Sequence, residues 1–386
     1  MNFIYLSPHF PPNYYNFCIA LKELGVNVLG VADTPYDELR PELKYALTEY
    51  YRVNNMENYD SVLRALAYFT YKYGKIDRLD SHNEYWLETE ARLRSDFNIY
   101  GTNLDSIEDI KYKSRMKQKF IKAGLNTAKG KVINDIKTAE KFAKEVGFPI
   151  FAKPDKGVGA TGTFKIKNKS EIEDFFRKKD DVEYIFEEFI EGEIHTFDGL
   201  VDRDGNLVFY TSHFYESVSE SIADGASVYV FSVREIPEDL LQAGLKIIKE
   251  FKVKEKFFHF EFFRTPEKKL IALEVNMRPP GGYMVDMFNY AADIDIYKEW
   301  ANVIAYGESS LKYSRKYFCS FTSKRTNLIH YKHSNGEVLS KYHSEIIMSC
   351  KMPPVFSGAM GDYGFIARHE SFDKIKEISN YITEPA

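Results

Sequence analysis

Two glutamates and an asparagine share a predicted β-hairpin between Phe258 and Gly282, and their oxygens could bind a metal ion. Because side chains alternate along a strand, Glu261 points away from its phenylalanine neighbours, and Glu274 and Asn276 share one face of the return strand. Two carboxylates ~4 Å apart repel by roughly 4 kcal/mol at an effective dielectric of 20, so a cation should offset them. Oxygen ligands suit Mg²⁺ bound with nucleotide phosphates, whereas strand carboxylates without such a role usually face solvent. Arg278 lies on the same face if the strand continues.

A lysine and a glycine-rich loop form a second candidate site. The apolar strand 150–152 leads into Lys153, and Gly157, Gly159 and Gly162 follow. Glycines let backbone N–H groups approach phosphate oxygens closely, so this arrangement predicts phosphate binding; the alternative is an ordinary hairpin turn. The sequence GxxxxGK[ST] is missing, so the loop is not a Walker A motif.

The chain opens with a predicted βαβ unit, which would begin an α/β domain. An apolar strand at 3–6, a helix at 15–24 and a second strand at 26–31 follow in order. The first turn reads SPHFPPN instead of GxGxxG, which disfavours a nicotinamide-binding Rossmann domain.

A turn between a strand at 76–79 and a helix that runs to about Ser95 carries His82, Asn83 and Glu84. Ligands collect at such strand ends in open α/β sheets, so His82 and Glu84 are candidates for contact with a substrate. The alternatives are that His82 is a capping or loop residue and that Glu84 favours the helix N-terminus.

Further elements surround these candidates. Helices are predicted at 59–73, 107–123, 237–251 and 283–306, and the helix at 107–123 is strongly basic, which is typical of a solvated face. The polar stretch from Glu216 to Ser227 is predicted to be a mobile loop that could cover a site.

Composition limits the possible partners and compartment. The chain has 386 residues, enough for two or three subdomains, and a formal net charge of −5, which disfavours general nucleic-acid binding. Cys18, Cys319 and Cys350 are far apart and no CxxC occurs, which disfavours a zinc site and favours a reducing, cytoplasmic location. The N-terminus lacks a basic signal-peptide region, and no apolar run approaches the ~20 residues that span a bilayer.

The order of these parts resembles the ATP-grasp superfamily of ligases. The shared features are a basic residue ahead of a glycine, a strand lysine with a glycine loop, the segment EEFIEGE and the string E–x12–E–x–N–x–R, over about residues 1 to 310. The resemblance implies a mixed α/β and α+β ATP-grasp fold. An N-terminal domain would cover 1–101, the ATP-grasp domain 102–310 with a lid at about 125–190, and a C-terminal subdomain 311–386.

The resemblance also implies an ATP site. Lys113, eleven residues before Gly124, corresponds to the first phosphate-binding lysine, and Lys153 to the second, which reaches the α- and β-phosphates. Glu187 corresponds to the acceptor for the adenine 6-amino group. The glycine loop, the hinge and the ribose region supply the remaining candidates: Gly157, Gly159, Gly162, Glu188, Phe189, Ile190, Glu193 and His195.

Metal and substrate positions follow from the same resemblance. Glu261, Glu274 and Asn276 correspond to the Mg²⁺ ligands, with Glu274 bridging two ions and Mn²⁺ as an alternative metal. Arg278 corresponds to the residue that holds the transferred phosphoryl group or the acyl-phosphate intermediate, so Arg278 and Lys153 are the expected catalytic residues. The candidates for substrate contact are His82, Glu84, Arg278, Gly281 and Gly282.

The expected activity is that of an ADP-forming carboxylate–amine ligase on small molecules, with an amino acid as a candidate substrate. Phosphoryl transfer needs positioning and charge neutralisation, which agrees with the missing GxSxG motif. The alternatives are a bicarbonate-activating enzyme related to biotin carboxylase or carbamoyl-phosphate synthase, a purine-pathway ligase, and an ATP-binding regulatory protein. A homodimer is compatible with the resemblance.

Overall fold

The computed structural model describes residues 1–157, 162–216 and 226–386. Its N-terminal part is a four-stranded parallel sheet in the order β3-β2-β1-β4. Its strands are β1 (Asn2–Leu6), β2 (Asn27–Ala32), β3 (Glu49–Arg52) and β4 (Arg78–Asp80). The accompanying helices are α1 (Tyr15–Glu23), α2 (Pro41–Ala46), α3 (Tyr59–Tyr73) and α4 (Leu87–Asp96). Every residue of β1 is buried, as expected for a parallel strand covered on both faces.

A small antiparallel sheet in the order β5-β8-β6-β7 forms the second unit. Two helices precede it, α5 (Glu108–Lys111) and α6 (Lys113–Lys122). Its strands are β5 (Gly130–Val132), β6 (Ile150–Pro154), β7 (Phe164–Ile166) and β8 (Tyr184–Glu188), and its helices are α7 (Ile136–Val146) and α8 (Lys169–Lys178). Apolar residues of α7 and α8 share one buried core with this sheet.

A large sheet in the order β14-β13-β9-β11-β12-β15-β17-β16, with β10 paired to β9, forms the third unit. Its strands are β9 (Glu193–Val201), β10 (Leu207–Thr211), β11 (His213–Tyr215), β12 (Tyr229–Ser232), β13 (Lys256–Arg264), β14 (Leu270–Asn276), β15 (Phe318–Lys324), β16 (Ile346–Lys351) and β17 (Tyr363–His369). The helices are α9 (Glu238–Glu250), α10 (Met284–Ala292), α11 (Ile296–Tyr306), α12 (Asn335–Lys341), α13 (Pro354–Met360) and α14 (Phe372–Thr383). The C-terminal strands therefore continue the sheet that carries the hairpin.

The predicted hairpin is confirmed as β13 and β14. Its apolar face is buried through Phe258, Phe260 and Phe262, which pack against α9 in one core. On the other face Glu261 lies directly opposite Glu274 in the strand register. The two carboxylates are therefore cross-strand neighbours, as the alternation of side chains predicts.

The helix predicted at 107–123 is broken, because Tyr112 is extended with φ −98° and ψ 118°. Asp155, just after β6, explains the break: its backbone O accepts from Lys113 N at 2.8 Å, and its Oδ1 accepts from Ser114 N at 2.7 Å. The N-terminus of α6 is thus capped by a residue distant in sequence, which fixes Lys113 beside the strand that carries Lys153.

The helix predicted at 283–306 also divides in two. Asp293 adopts a left-handed conformation at φ 53° and ends α10, and Asp295 caps α11 by accepting from Lys298 N at 3.1 Å. Aspartate tolerates the left-handed region and caps helices well, so the sequence DID contained this signal.

Buried ion pairs join the N-terminal sheet to the start of β13. Asp80 Oδ2 contacts Lys256 Nζ at 2.6 Å, and Glu90 Oε2 lies 3.7 Å from the same ammonium group. The neighbouring Glu255 contacts Arg78 at 3.1 Å. These charges fix the loop after β4 relative to the hairpin.

Three predictions are not tested by the structure. Gly159 and most of the predicted loop Glu216–Ser227 lie outside the described residues. The division at 101 and 310 stays a prediction. Over the described ranges, the helices are all too short or too polar to cross a membrane.

Candidate nucleotide and metal site

A cavity of ≈ 1080 Å³ lies between the small sheet and the hairpin. Its lining combines residues from α6, β6, β8, the hinge after β8 and both hairpin strands. Nine of the predicted site residues line it: Lys113, Lys153, Glu187, Glu188, Phe189, Ile190, Glu193, Glu261 and Glu274. The structure thus gathers both predicted phosphate-binding lysines and both predicted metal-ligand glutamates around one cavity.

Glu187 lies between two lysines on the cavity wall. Its Oε1 contacts Lys117 Nζ at 2.7 Å, and its Oε2 contacts Lys153 Nζ at 2.9 Å. Burial alone would raise the pKa of Glu187, but the charges of Lys153 and Lys117 lower it to about 2. The same contact raises the pKa of Lys153 against the opposite effect of burial. Glu187 and Lys153 are therefore both charged near neutral pH.

Lys117 was missed by the sequence reasoning, which assigned the basic run of α6 to a solvated face. Lys117 is instead buried and also donates to Ala128 O at 2.6 Å and Thr127 Oγ1 at 2.9 Å. The spacing from Lys113 contained a signal, because residues four apart lie on the same face of a helix.

The two hairpin glutamates respond differently to their surroundings. Burial and the charge of Glu261 raise the pKa of Glu274. Burial would also raise the pKa of Glu261, but a hydrogen bond from His259 and its charge lower it. Lys113 Nζ lies 4.0 Å from Glu274 Oε1 and partly compensates the pair.

These side chains suit a divalent cation. Asn276 is buried at the end of the same strand, and its Oδ1 accepts from Arg278 Nη2 at 3.3 Å. Carboxylate and amide oxygens are the ligands that Mg²⁺ prefers, and a cation would relieve the repulsion that raises the pKa of Glu274. Within the described ranges, no group of three or more His, Cys, Asp and Glu side chains could hold a metal. A metal here would therefore depend on two glutamates and an amide.

The remaining candidates from the hinge, the ribose region and the glycine loop differ in their contacts. Glu188 Oε1 accepts from Lys129 N at 2.7 Å, which secures the end of β8. Gly157 lies beside Lys113, whose Nζ would be 3.9 Å from a Cβ at that position. His195 does not join the site, since it pairs with Phe262 on the opposite sheet face from Glu261. Gly162 is described at φ 74°, a left-handed conformation suited to glycine.

Arg278 lies beside the cavity in a cluster of buried charges. Its Nη2 donates to Glu84 Oε2 at 2.7 Å, which joins two residues 194 positions apart in the chain. Lys111 Nζ lies 3.7 Å from Glu84 Oε1 on the other side. The basic run that contains Lys111 was interpreted as a solvated face apart from Lys113, and the burial of Lys111 corrects that interpretation.

His82 lies apart from this cluster. Its ring is 1% exposed and packs among aromatic side chains, and it is 4.6 Å from Trp300 and 4.3 Å from Phe17 between ring centroids. Its burial argues against direct contact with a substrate. Gly281 is exposed, whereas a Cβ at Gly282 would meet the side chain of Met360, so α13 closes over this turn.

The small antiparallel sheet and the larger sheet thus lie on either side of this cavity. Residues 146–286 match the ATP-grasp domain family. This region of the chain is therefore similar to an ATP-grasp domain, and the resemblance predicted from its motifs is confirmed.

Relatives by sequence are ligases and synthases. The chain is 25% identical over 261 residues to the L-arginine-specific L-amino acid ligase of Bacillus subtilis, covering 65% of this chain and 63% of that protein. It is 24% identical over 198 residues to the carbamoyl phosphate synthase large chain of Thermotoga sp. (strain RQ2), covering 47% of this chain and 17% of that protein. The chain thus spans less than two thirds of either relative.

Solved structures show the same fold over nearly the whole chain. The L-amino acid ligase from Bacillus licheniformis superposes with a TM-score of 0.78 at 15% identity, covering 98% of this chain and 96% of that chain. The N5-carboxyaminoimidazole synthetase from Staphylococcus aureus superposes with a TM-score of 0.75 at 13% identity, covering 99% and 97%. The predicted ATP-grasp fold is confirmed.

Proposed function

We propose that the protein is an ADP-forming ligase that activates a carboxylate with ATP and joins the acyl group to an amine. The observation that supports this most directly is one cavity lined by Lys113 and Lys153 together with the carboxylates of Glu261 and Glu274. Triphosphate charge needs cations, and a divalent ion needs oxygen ligands, so the two sets suit one magnesium–nucleotide complex.

Each residue has a defined task in this proposal. Lys113 and Lys153 bind phosphate oxygens and neutralise the charge that develops during transfer. Glu261, Glu274 and Asn276 would hold Mg²⁺, which would neutralise part of the phosphate charge. Arg278 binds the carboxylate as it attacks, and the reaction produces an acyl phosphate and ADP. An amine then attacks the acyl carbon, and inorganic phosphate leaves.

The substrate class is proposed to be an α-amino acid. Glu84 and Arg278 form a largely buried pair of opposite charges at 2.7 Å, next to Asn276. A zwitterion offers an ammonium group to the acid and a carboxylate to the arginine, whereas bicarbonate offers no cation. The name of the Bacillus subtilis relative, an L-amino acid ligase, agrees with this choice.

Trapping with hydroxylamine tests the activation step without knowledge of the amine. Purified protein is incubated with Mg²⁺, ATP, hydroxylamine and single amino acids, and the hydroxamate and ADP are quantified. We expect hydroxamate and ADP in equal amounts with at least one amino acid. Release of AMP and pyrophosphate would contradict the acyl-phosphate route.

Two comparisons sharpen this experiment. Bicarbonate in place of an amino acid should release no more ADP than ATP alone; bicarbonate-dependent release would favour the carboxylase alternative. Glu84→Gln should raise KM for the amino acid at least tenfold but leave KM unchanged for the matching acid without an amino group. Equal effects on both compounds would contradict zwitterion recognition.

A further inference from the structure

A row of polar side chains crosses the large sheet beneath the proposed metal site. His259 pairs in register with Asp198 on one side and with Asn276 on the other. Glu261 pairs with Thr196 and Glu274 in the next row. Because directly opposite residues point to the same face of a sheet, both rows lie on the face that carries the glutamates.

His259 uses both ring nitrogens in this row. Its Nδ1 lies 2.5 Å from Asp198 Oδ1, and its Nε2 lies 3.0 Å from Glu261 Oε1. The ring is 5% exposed and Asp198 is fully buried, so solvent does not compete for either contact. Two opposed hydrogen bonds leave the imidazole a single orientation.

Asp198 is fixed in turn by its second oxygen. Oδ2 lies 2.7 Å from His213 Nδ1 and also accepts from Thr196 Oγ1. The same threonine oxygen accepts from His213 N at 3.1 Å, and the His213 ring stacks on Phe288 of α10. The connected series His213, Asp198, His259 and Glu261 therefore runs from a helix-packed core to the cavity.

We infer that His259, held by Asp198, is a positioning residue that orients Glu261 for a divalent cation. Without this contact Glu261 would turn away from Glu274, because the two carboxylates face each other across the hairpin. This inference rests on the proposed metal role of Glu261. Loss of a partner that orients a metal ligand typically weakens metal binding 10–100-fold.

The chain offers a matched control for this test. His213 is as buried as His259 and contacts the same aspartate, yet its described contacts do not include Glu261. His259→Ala and His213→Ala therefore remove equal volumes and one Asp198 contact each. His259→Gln keeps a donor next to Glu261 and serves as the conservative variant.

Binding of Mn²⁺ in the presence of ADP, measured by electron paramagnetic resonance, gives a readout independent of turnover. We expect His259→Ala to raise the Mn²⁺ dissociation constant 10–100-fold, His259→Gln to recover part of this loss, and His213→Ala to change it less than about threefold. The affinity for ADP without metal should stay unchanged in all three. Circular dichroism establishes that each variant is folded.

Several outcomes would overturn the inference. If His213→Ala and His259→Ala weakened Mn²⁺ binding equally, the row of polar side chains would act only through packing. Unchanged Mn²⁺ binding in His259→Ala, with a clear loss in Glu261→Gln, would refute the positioning role but leave the metal site in place. Unchanged binding in Glu261→Gln as well would refute the metal site itself.

Discussion

Replacement of Glu187 by glutamine should destabilise the protein in a pH-dependent way. Lys117 and Lys153 lie 2.7 Å and 2.9 Å from its carboxylate, and their charges lower its pKa from 4.5 to about 2. At about 1.4 kcal/mol per pKa unit, the ionised carboxylate contributes about 3 kcal/mol to the free energy of unfolding at pH 7. This agrees with the ~3–5 kcal/mol typical of a broken buried ion pair.

The sign of the pH dependence follows from the lowered pKa. The stabilisation is fully present above the unfolded-state pKa of 4.5 and is lost as the pH falls towards 2. Linkage arithmetic places the difference between wild type and Glu187→Gln at about 3 kcal/mol at pH 7 and about 1.5 kcal/mol at pH 3.

Urea unfolding followed by circular dichroism across pH 3 to 7 measures this difference. Glu188→Gln is the matched control. The side chain of Glu188, next to Glu187 in the chain, accepts a hydrogen bond from the backbone N of Lys129, and glutamine can still accept it. We expect the control to change stability by less than about 1 kcal/mol at every pH. A difference for Glu187→Gln below 1 kcal/mol at pH 7, or one that does not vary with pH, would refute the reasoning.

Three further predictions concern the metal, an aspartate of α10 and the contact between the N-terminal sheet and β13. With ADP and Mg²⁺ at about 100 times the dissociation constant, the free energy of unfolding of the wild type should rise by about 2.7 kcal/mol, which corresponds to roughly 3 °C in melting temperature. A thermal melt of Glu274→Gln should show no such increase. Burial raises the pKa of Asp286 to about 6, so the ionised carboxylate destabilises the fold at higher pH. Asp286→Asn should therefore raise the free energy of unfolding by up to about 3 kcal/mol at pH 8 and by little at pH 4. Urea titrations at both pH values measure this difference. Lys256→Met leaves Asp80 buried without its 2.6 Å partner and should cost about 3–5 kcal/mol in the same assay, and a loss under 1 kcal/mol would contradict the importance of this pair.

Local patterns in the sequence predicted the hairpin and its two glutamates correctly. The alternation of phenylalanine with polar residues in FHFEFF determines which side chains share a face, and this pattern does not depend on the rest of the fold. The helix at 59–73 was likewise predictable, because Asn58 caps its first turn and Gly74 ends it.

Contacts between distant segments explain what was missed. The break before Lys113 depends on Asp155, which caps α6 from the end of β6. The contact of Glu84 with Arg278 and that of Asp198 with His259 depend on strand pairing and on domain packing, over 194 and 61 positions respectively. A propensity read along the chain contains no information about such pairs, so Lys117 and Lys111 were assigned to solvent.

The continuity of the large sheet has a consequence for synthesis of the chain. β12 pairs with β15, and β17 then lies between β15 and β16. While a ribosome has made only the first 310 residues or so, the backbone groups of β12 that face β15 have no partner strand. An unpaired edge of this kind invites pairing with another chain. Truncation before β15 should therefore yield an aggregation-prone fragment instead of a smaller folded protein, and expression at low temperature or with chaperones should favour the full chain.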